Sequence, residues 1–187
     1  MSQEPVRKFF LKEFKAISHG LSTYEDLNLL VSHLAEGTTR TFEAIGCCIM
    51  LFDDTENQLF PFGCFGISEK YLEKGPLCVD DKYSAFVRGE PVFIEDIRSD
   101  PRIKYPDEAL EEGIVSILSI PIKFRGTAIG LIRIYNGEPK RFNEEDVDAL
   151  RVLSEHLALV IEYNGLKNFF DKVKMAMDGL PARMLEG

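Results

Sequence analysis

The residues able to do chemistry are few, and they cluster in one loop and four thiols. The run Glu95-Asp96-Ile97-Arg98-Ser99-Asp100-Pro101-Arg102 interleaves carboxylates, guanidinium groups and a hydroxyl. Such a loop can aim polar groups at a small ligand. It can equally cap its own turns, with Asp96 and Arg98 or Arg102 as a structural ion pair. The cysteines are Cys47, Cys48, Cys64 and Cys78, with no C-x-x-C pair. Adjacent strand residues point to opposite faces, so Cys47 and Cys48 do not share a metal. His19, His33 and His156 have no partner at ligand spacing. No metal is expected, and the cysteines are expected to be buried and reduced, behaving as small apolar residues. Nor is there a nucleophile beside a positioned base, a carboxylate pair in apolar surroundings, or a glycine-rich phosphate loop. The expectation is a protein that is not an enzyme.

Bulk properties narrow the partners. The 187 residues are 45% hydrophobic and 28% charged, with a net charge of −9, enough for one well-filled core. That charge repels a phosphate backbone, and Arg7-Lys8 and Lys140-Arg141 are isolated basic pairs, so nucleic acid is not an expected partner. No stretch reaches the roughly 18–20 apolar residues of a membrane span. The N-terminus lacks the apolar run of a signal peptide. A cytoplasmic location is expected.

The elements that position these residues can be read from periodicity. Val6 to Ile17 reads as an amphipathic helix closed by Gly20. Ser22 and Glu25 form a capping box for a second helix that carries Leu27, Leu30, Val31, Leu34 and Thr38. Ala44 to Phe52 and Asn57 to Phe65 are strands joined by a turn at Asp53-Asp54. Short helices are expected over Ser68–Lys74 and Asp80–Arg88, and a strand over Pro91–Ile94. Arg98 to Glu112 reads as a loop with one helical turn. Ile114–Phe124 and Thr127–Tyr135 are strands linked by a tight turn at Arg125-Gly126. Pro121, lacking a donor, marks an edge, a bulge or the end of ladder pairing. Asn143 caps a last helix whose first turn holds Glu144, Glu145 and Asp146. On its wheel Val147, Leu150, Leu157, Ala158 and Ile161 share one side, while Val152 and Leu159 lie nearly opposite. A helix lying only on a sheet needs one apolar stripe; this one has two. Leu166, Phe169, Phe170 and Val173 continue the pattern until Gly179-Leu180-Pro181, beyond which the tail is expected to fray.

The segment from Gly89 to Asp146 combines a short strand, the Asp/Pro/Arg loop, the apolar hairpin Gly113–Asn136 and the sharply capped Arg141-Phe142-Asn143-Glu144-Glu145-Asp146 helix start. This combination resembles the GAF domain family of small-molecule sensors, over roughly Thr23 to Asn164. The resemblance implies an α+β sandwich with a central antiparallel sheet of five to six strands. Helices would lie on both faces, with long N- and C-terminal helices packed together. The implied organisation is an N-terminal helical extension over 1–22, the domain over 23–164, and a helical extension with a frayed tail over 165–187. The family's pocket would draw on Cys64, Phe65, Phe86, Asp96, Ser99, Arg102 and Ser116.

Ligand classes known in that family can be weighed against the residues here. The cyclic-nucleotide signature is met at Asn136, Phe142 and Asp146, but Gly137 stands for its Lys and Val147 for its Glu, so that ligand is not expected. A branch that reduces free methionine sulfoxide uses pocket cysteines; Cys78 falls near one of them, with Cys64 its one conceivable resolving partner. Tetrapyrrole attachment lacks its accompanying His, and no His is placed to hold haem. The cofactor is left unknown. The leading expectation is a sensory module that binds a small cytoplasmic molecule. It would signal as a homodimer through the Asn143–Asn164 helix and the N-terminal helix, or to a signalling protein. The alternatives are a ligand-free dimerisation and docking scaffold, and the reductase.

Overall fold

The computed structural model describes residues 27–178 apart from 76, 79–81 and 141. The expected helix over 6–17, its Gly20 stop, the capping box at Ser22 and the frayed tail lie outside the described residues.

Helix α1 (Leu27–Thr41) buries Leu30, Val31, Leu34, Ala35 and Thr38, the spacing of one helical face. The chain then enters β1 (Gly46–Asp53) and β2 (Gln58–Phe65), an antiparallel pair. Helix α2 (Glu69–Leu72) starts where Ser68 Oγ accepts from the Tyr71 amide. It leads to the two-residue strand β3 (Leu77–Cys78), which the sequence does not announce. Helix α3 (Ala85–Arg88) and strand β4 (Val92–Ile94) follow, then α4 (Pro106–Glu111), β5 (Ser116–Phe124), β6 (Thr127–Asn136) and the 35-residue α5 (Glu144–Asp178). The β5–β6 turn has φ of 51° at Arg125 and 86° at Gly126, the double positive φ of a tight hairpin turn.

The six strands run in the order β3-β2-β1-β6-β5-β4, with every neighbouring pair antiparallel. Pro121 lies just past Ser119, where β4 stops pairing with β5, so its missing N–H breaks no β4 ladder. Strand alternation divides the core in two. Cys47, Ile49, Leu118, Ile120, Ile132 and Ile134 face α1 and α5. Cys48, Met50, Ile117, Leu131 and Tyr135 face the short helices and loops. Helices therefore cover both faces of an α+β sandwich, as expected. Gly63 lets α1 lie close on β2, because a Cβ there would stand 2.6 Å from Val31 Cγ1.

One expectation about the thiols is corrected. Cys48 and Cys64 form a disulfide, with Cα atoms 4.1 Å apart. Counting back from the Asp53↔Gln58 pair would set Cys48 opposite Gly63. A bulge between the Ile49 and Met50 pairings moves the register by one and sets it opposite Cys64. Cys47 stays free and fully buried, its thiol pushed up by desolvation.

Helix α5 starts with Asn143 Oδ1 accepting from the Asp146 amide at 2.7 Å, while the Asn143 amide donates back to Asp146 Oδ2. Its first half buries Ala149, Leu150, Leu153, Leu157, Ala158 and Val160. At about 1.5 Å per residue it is roughly 50 Å long, and no residue from Ile161 to Met175 is buried. Among the described residues no helix is long and apolar enough to cross a membrane.

Candidate ligand cavity

On the loop-covered face of the sheet a cavity of about 100 Å³ opens between the strands and the segments that cross them. Its floor is apolar: Leu59 from β2, Leu77 from β3, Ile117 from β5 and Leu131 from β6. Its walls carry Tyr71, Tyr105 and four cations, Lys74, Arg102, Lys104 and Arg133. Gly75 has φ of 123°, and a Cβ there would meet Tyr105 Oη at 2.8 Å, so this glycine lets the Tyr105 ring close one side.

Arg133 enters from a central strand. Leu131, Arg133 and Tyr135 alternate onto the cavity face. Arg133 Nε donates to Ser119 Oγ at 3.2 Å, its direct cross-strand neighbour. Its charge also acts on the Tyr135 hydroxyl. Both groups are neutral, and among the described residues no carboxylate forms an ion pair with Arg133. Lys74 Nζ donates to the Tyr71 carbonyl at 2.9 Å and lies 3.5 Å from the centroid of the Tyr71 ring. Burial, reinforced by the charge of Arg133, lowers its pKa from 10.5 to about 8. Burial also raises the Tyr71 and Tyr135 phenols, so both remain protonated donors.

The Asp-Pro-Arg loop is organised differently. Asp96 and Asp100 each accept from the backbone amide two residues on, and each clamps the guanidinium of that same residue, Arg98 or Arg102. Hydrogen bonds from Arg98 lower the Asp96 pKa to about 2. Arg102 also donates to the Phe93 carbonyl at 3.1 Å.

These placements separate the seven residues that the sequence grouped. Arg102 alone lines the cavity. Asp96 and Ser99 line an open groove of about 750 Å³ on the outer side of the loop, which Arg102 also reaches. Cys64 faces the same side as the cavity but is tied to Cys48. Phe86 packs on Phe52, ring centroids 4.8 Å apart, in the core beside the cavity. Phe65 lies on the other face of the sheet, with the Arg40 guanidinium 5.6 Å over its ring. Ser116 is on that other face too, its hydroxyl donating to the Glu138 carbonyl. Sequence reasoning missed Tyr71, Lys74, Lys104, Tyr105 and Arg133. The signal for Arg133 was present, because it is the one charge within the apolar run Ala128–Tyr135. Phe142 packs between Phe42 and Phe93, each ring 6.0 Å away, and Asp146 serves the helix cap, so both have structural work whatever the cavity holds. Among the described residues no group of His, Cys, Asp and Glu is arranged to hold a metal.

A profile of the GAF domain matches residues 25–162. The chain belongs to the GAF domain family. Solved structures share the fold. The GAF domain of a phosphoenolpyruvate-protein phosphotransferase from Coxiella burnetii aligns with a TM-score of 0.73 at 23% identity, over 85% of this chain and 96% of that one. Free methionine-R-sulfoxide reductase from Neisseria meningitidis aligns at 0.70 and 15% identity, over 87% and 92%. A domain of a sensor histidine kinase protein from Sinorhizobium meliloti aligns at 0.65 and 18%, over 74% and 92%. No curated protein matches. The matched GAF region contains the whole cavity and the sheet-bound half of α5, and stops where α5 leaves the sheet.

Proposed function

We propose that this GAF domain is a non-enzymatic cytoplasmic regulatory module. A small molecule in the cavity shifts the packing of α5, and α5 carries the signal as a homodimer or to a partner protein. One observation carries this reading. Val152, Leu159, Leu166 and Val173 are exposed and recur every seven residues, with Tyr163 and Phe170 exposed between them. A seven-residue apolar repeat specifies a supercoiled partner helix. The same stripe on a second copy is self-complementary, which suits a two-fold dimer. Replacing Leu159 and Leu166 with Glu is expected to give a monomer in light scattering with an unchanged far-ultraviolet spectrum. A dimer mass retained by that variant would remove α5 as the interface.

The small volume favours a second reading, a scaffold that dimerises without a ligand. Native mass spectrometry separates the two, since bound ligand appears as added mass on the dimer. A reductase is disfavoured because Cys64, the conceivable resolving partner of Cys78, is bonded to Cys48 instead. Turnover of free methionine sulfoxide above the background of Cys78→Ser would restore it.

A further inference from the structure

Some cations among the described residues are neutralised by a carboxylate. Arg40, Lys70, Arg88, Arg98, Arg102 and Arg151 each pair with a carboxylate. Arg133 and Lys74 do not pair with one among the described residues. Both line the same cavity, and the charge of Arg133 adds to burial in lowering the Lys74 pKa. Glu108 and Glu112 act on Lys74 through charge, and neither forms a salt bridge with it. Glu112 is itself committed to the Ser68 amide and hydroxyl. Two like charges turned toward one partly buried space are unfavourable in the protein alone. Neither serves as a structural ion pair. Among the described residues no carboxylate lines the cavity, and negative charge bound there would offset both cations.

We propose that the cavity binds a small anion, a carboxylate or phosphate with at most a short apolar body, held by Arg133 and Lys74. The inference rests on the cavity being the ligand site of the regulatory reading, and it names the chemistry of that ligand. A guanidinium presents parallel N–H donors to two oxygens of a carboxylate or phosphate. Lys74 adds a charged donor, and Tyr71 and Tyr105 form part of the walls. The apolar floor of Leu59, Leu77, Ile117 and Leu131 accepts a methyl or short chain. Size sets an upper bound. Drug-sized ligands occupy roughly 300–1,000 Å³, so about 100 Å³ holds only a small fraction of such a molecule. The net charge of −9 gives no long-range attraction to anions, so selection is made by short contacts within the cavity.

The test is isothermal titration of the full chain with acetate, pyruvate and inorganic phosphate, and with acetamide as a neutral probe of acetate's size. Arg133→Gln and Lys74→Met serve as variants; Met keeps the apolar stem on the Tyr71 ring. At least one anion is expected to bind more tightly than acetamide. Each variant is expected to weaken it about tenfold to a hundredfold, the weight of a charge-assisted hydrogen bond. Melting curves in the absence of probe establish that the variants fold. If acetamide binds as well as the anions, the anion inference is overturned while a small-molecule cavity survives. If an anion binds equally to both folded variants, the site is elsewhere and the inference is overturned. If neither anions nor acetamide bind, the inference fails and the ligand-free scaffold gains.

Discussion

Lys74 is the residue through which the cavity should report its contents. The groups facing it are Arg133 from β6, Tyr71 from α2, Glu108 and Glu112 from α4 and its C-terminal cap, and the loop carrying Arg102, Lys104 and Tyr105. Burial and Arg133 hold its folded pKa at about 8, against 10.5 ordinarily. Between those values the unfolded chain binds the proton and the folded chain does not. The slope of stability with pH is then positive, so this residue adds stability as pH rises from about 8 to 10.5. Urea midpoints across that window are expected to rise more steeply in wild type than in Lys74→Met. A bound anion favours the ammonium and raises its pKa, so binding near pH 8 to 9 takes up a proton. Calorimetry of pyruvate or phosphate in buffers of different ionisation enthalpy measures that uptake directly. Equal apparent enthalpies in all buffers would exclude Lys74 from the anion's contacts.

At the scale of elements, the β1–β2 bulge has the largest consequence. It moves the hairpin register by one and brings Cys48 and Cys64 to the same face and into a bond. The bonded cysteines are separated by 16 positions, and closing a loop of that length stabilises by up to about 3 kcal/mol. The hairpin ladder already restrains that loop, so a smaller gain, about 1–2 kcal/mol, is expected. Denaturant unfolding with and without reductant should show that difference for wild type. Cys64→Ser should match the reduced protein under both conditions. At the start of α5, Asn143→Ala removes the side-chain acceptor of the Asp146 amide and should cost about 1 kcal/mol in the same experiment. The contrast between these two sites explains what the sequence could convey. The Asn143 cap, the Arg125-Gly126 turn and the two-striped α5 are local patterns, and each was legible. The faces of Phe65 and Ser116, the disulfide and the two-residue strand β3 depend on register across strands. A single bulge changes that register without any mark in composition. The cavity was misplaced for the same reason. Asp96 and Ser99 carry the expected polar groups but turn them outward, whereas Arg133 and Lys74 converge only once six strands are in order.

At the scale of the whole molecule, the sheet is shared by the cavity and α5. Arg133 bonds Ser119 on the cavity face of β5, and its neighbours Leu118 and Ile120 face the core that holds Leu150, Leu153 and Leu157 of α5. An anion that draws on Arg133 therefore acts on the strand against which α5 packs. Such a ligand can shift α5 only by as much as it prefers one packing to another. Coupling of this kind is reciprocal: the factor by which the anion changes dimer affinity equals the factor by which dimerisation changes anion affinity. The Leu159→Glu, Leu166→Glu variant makes this measurable, because both substitutions lie on the exposed side of α5, away from the cavity. Its affinity for pyruvate or phosphate is expected to differ from that of the proposed wild-type dimer by about 5-fold or more, the usual lower range for coupled sites. The dimer dissociation constant of wild type, measured by sedimentation with and without the same anion, should change by a matching factor. Identical anion affinity in monomer and dimer would mean that β5 transmits nothing. The cavity and the coiled seam would then be independent features of one fold, and the signal would have to leave the protein by another surface.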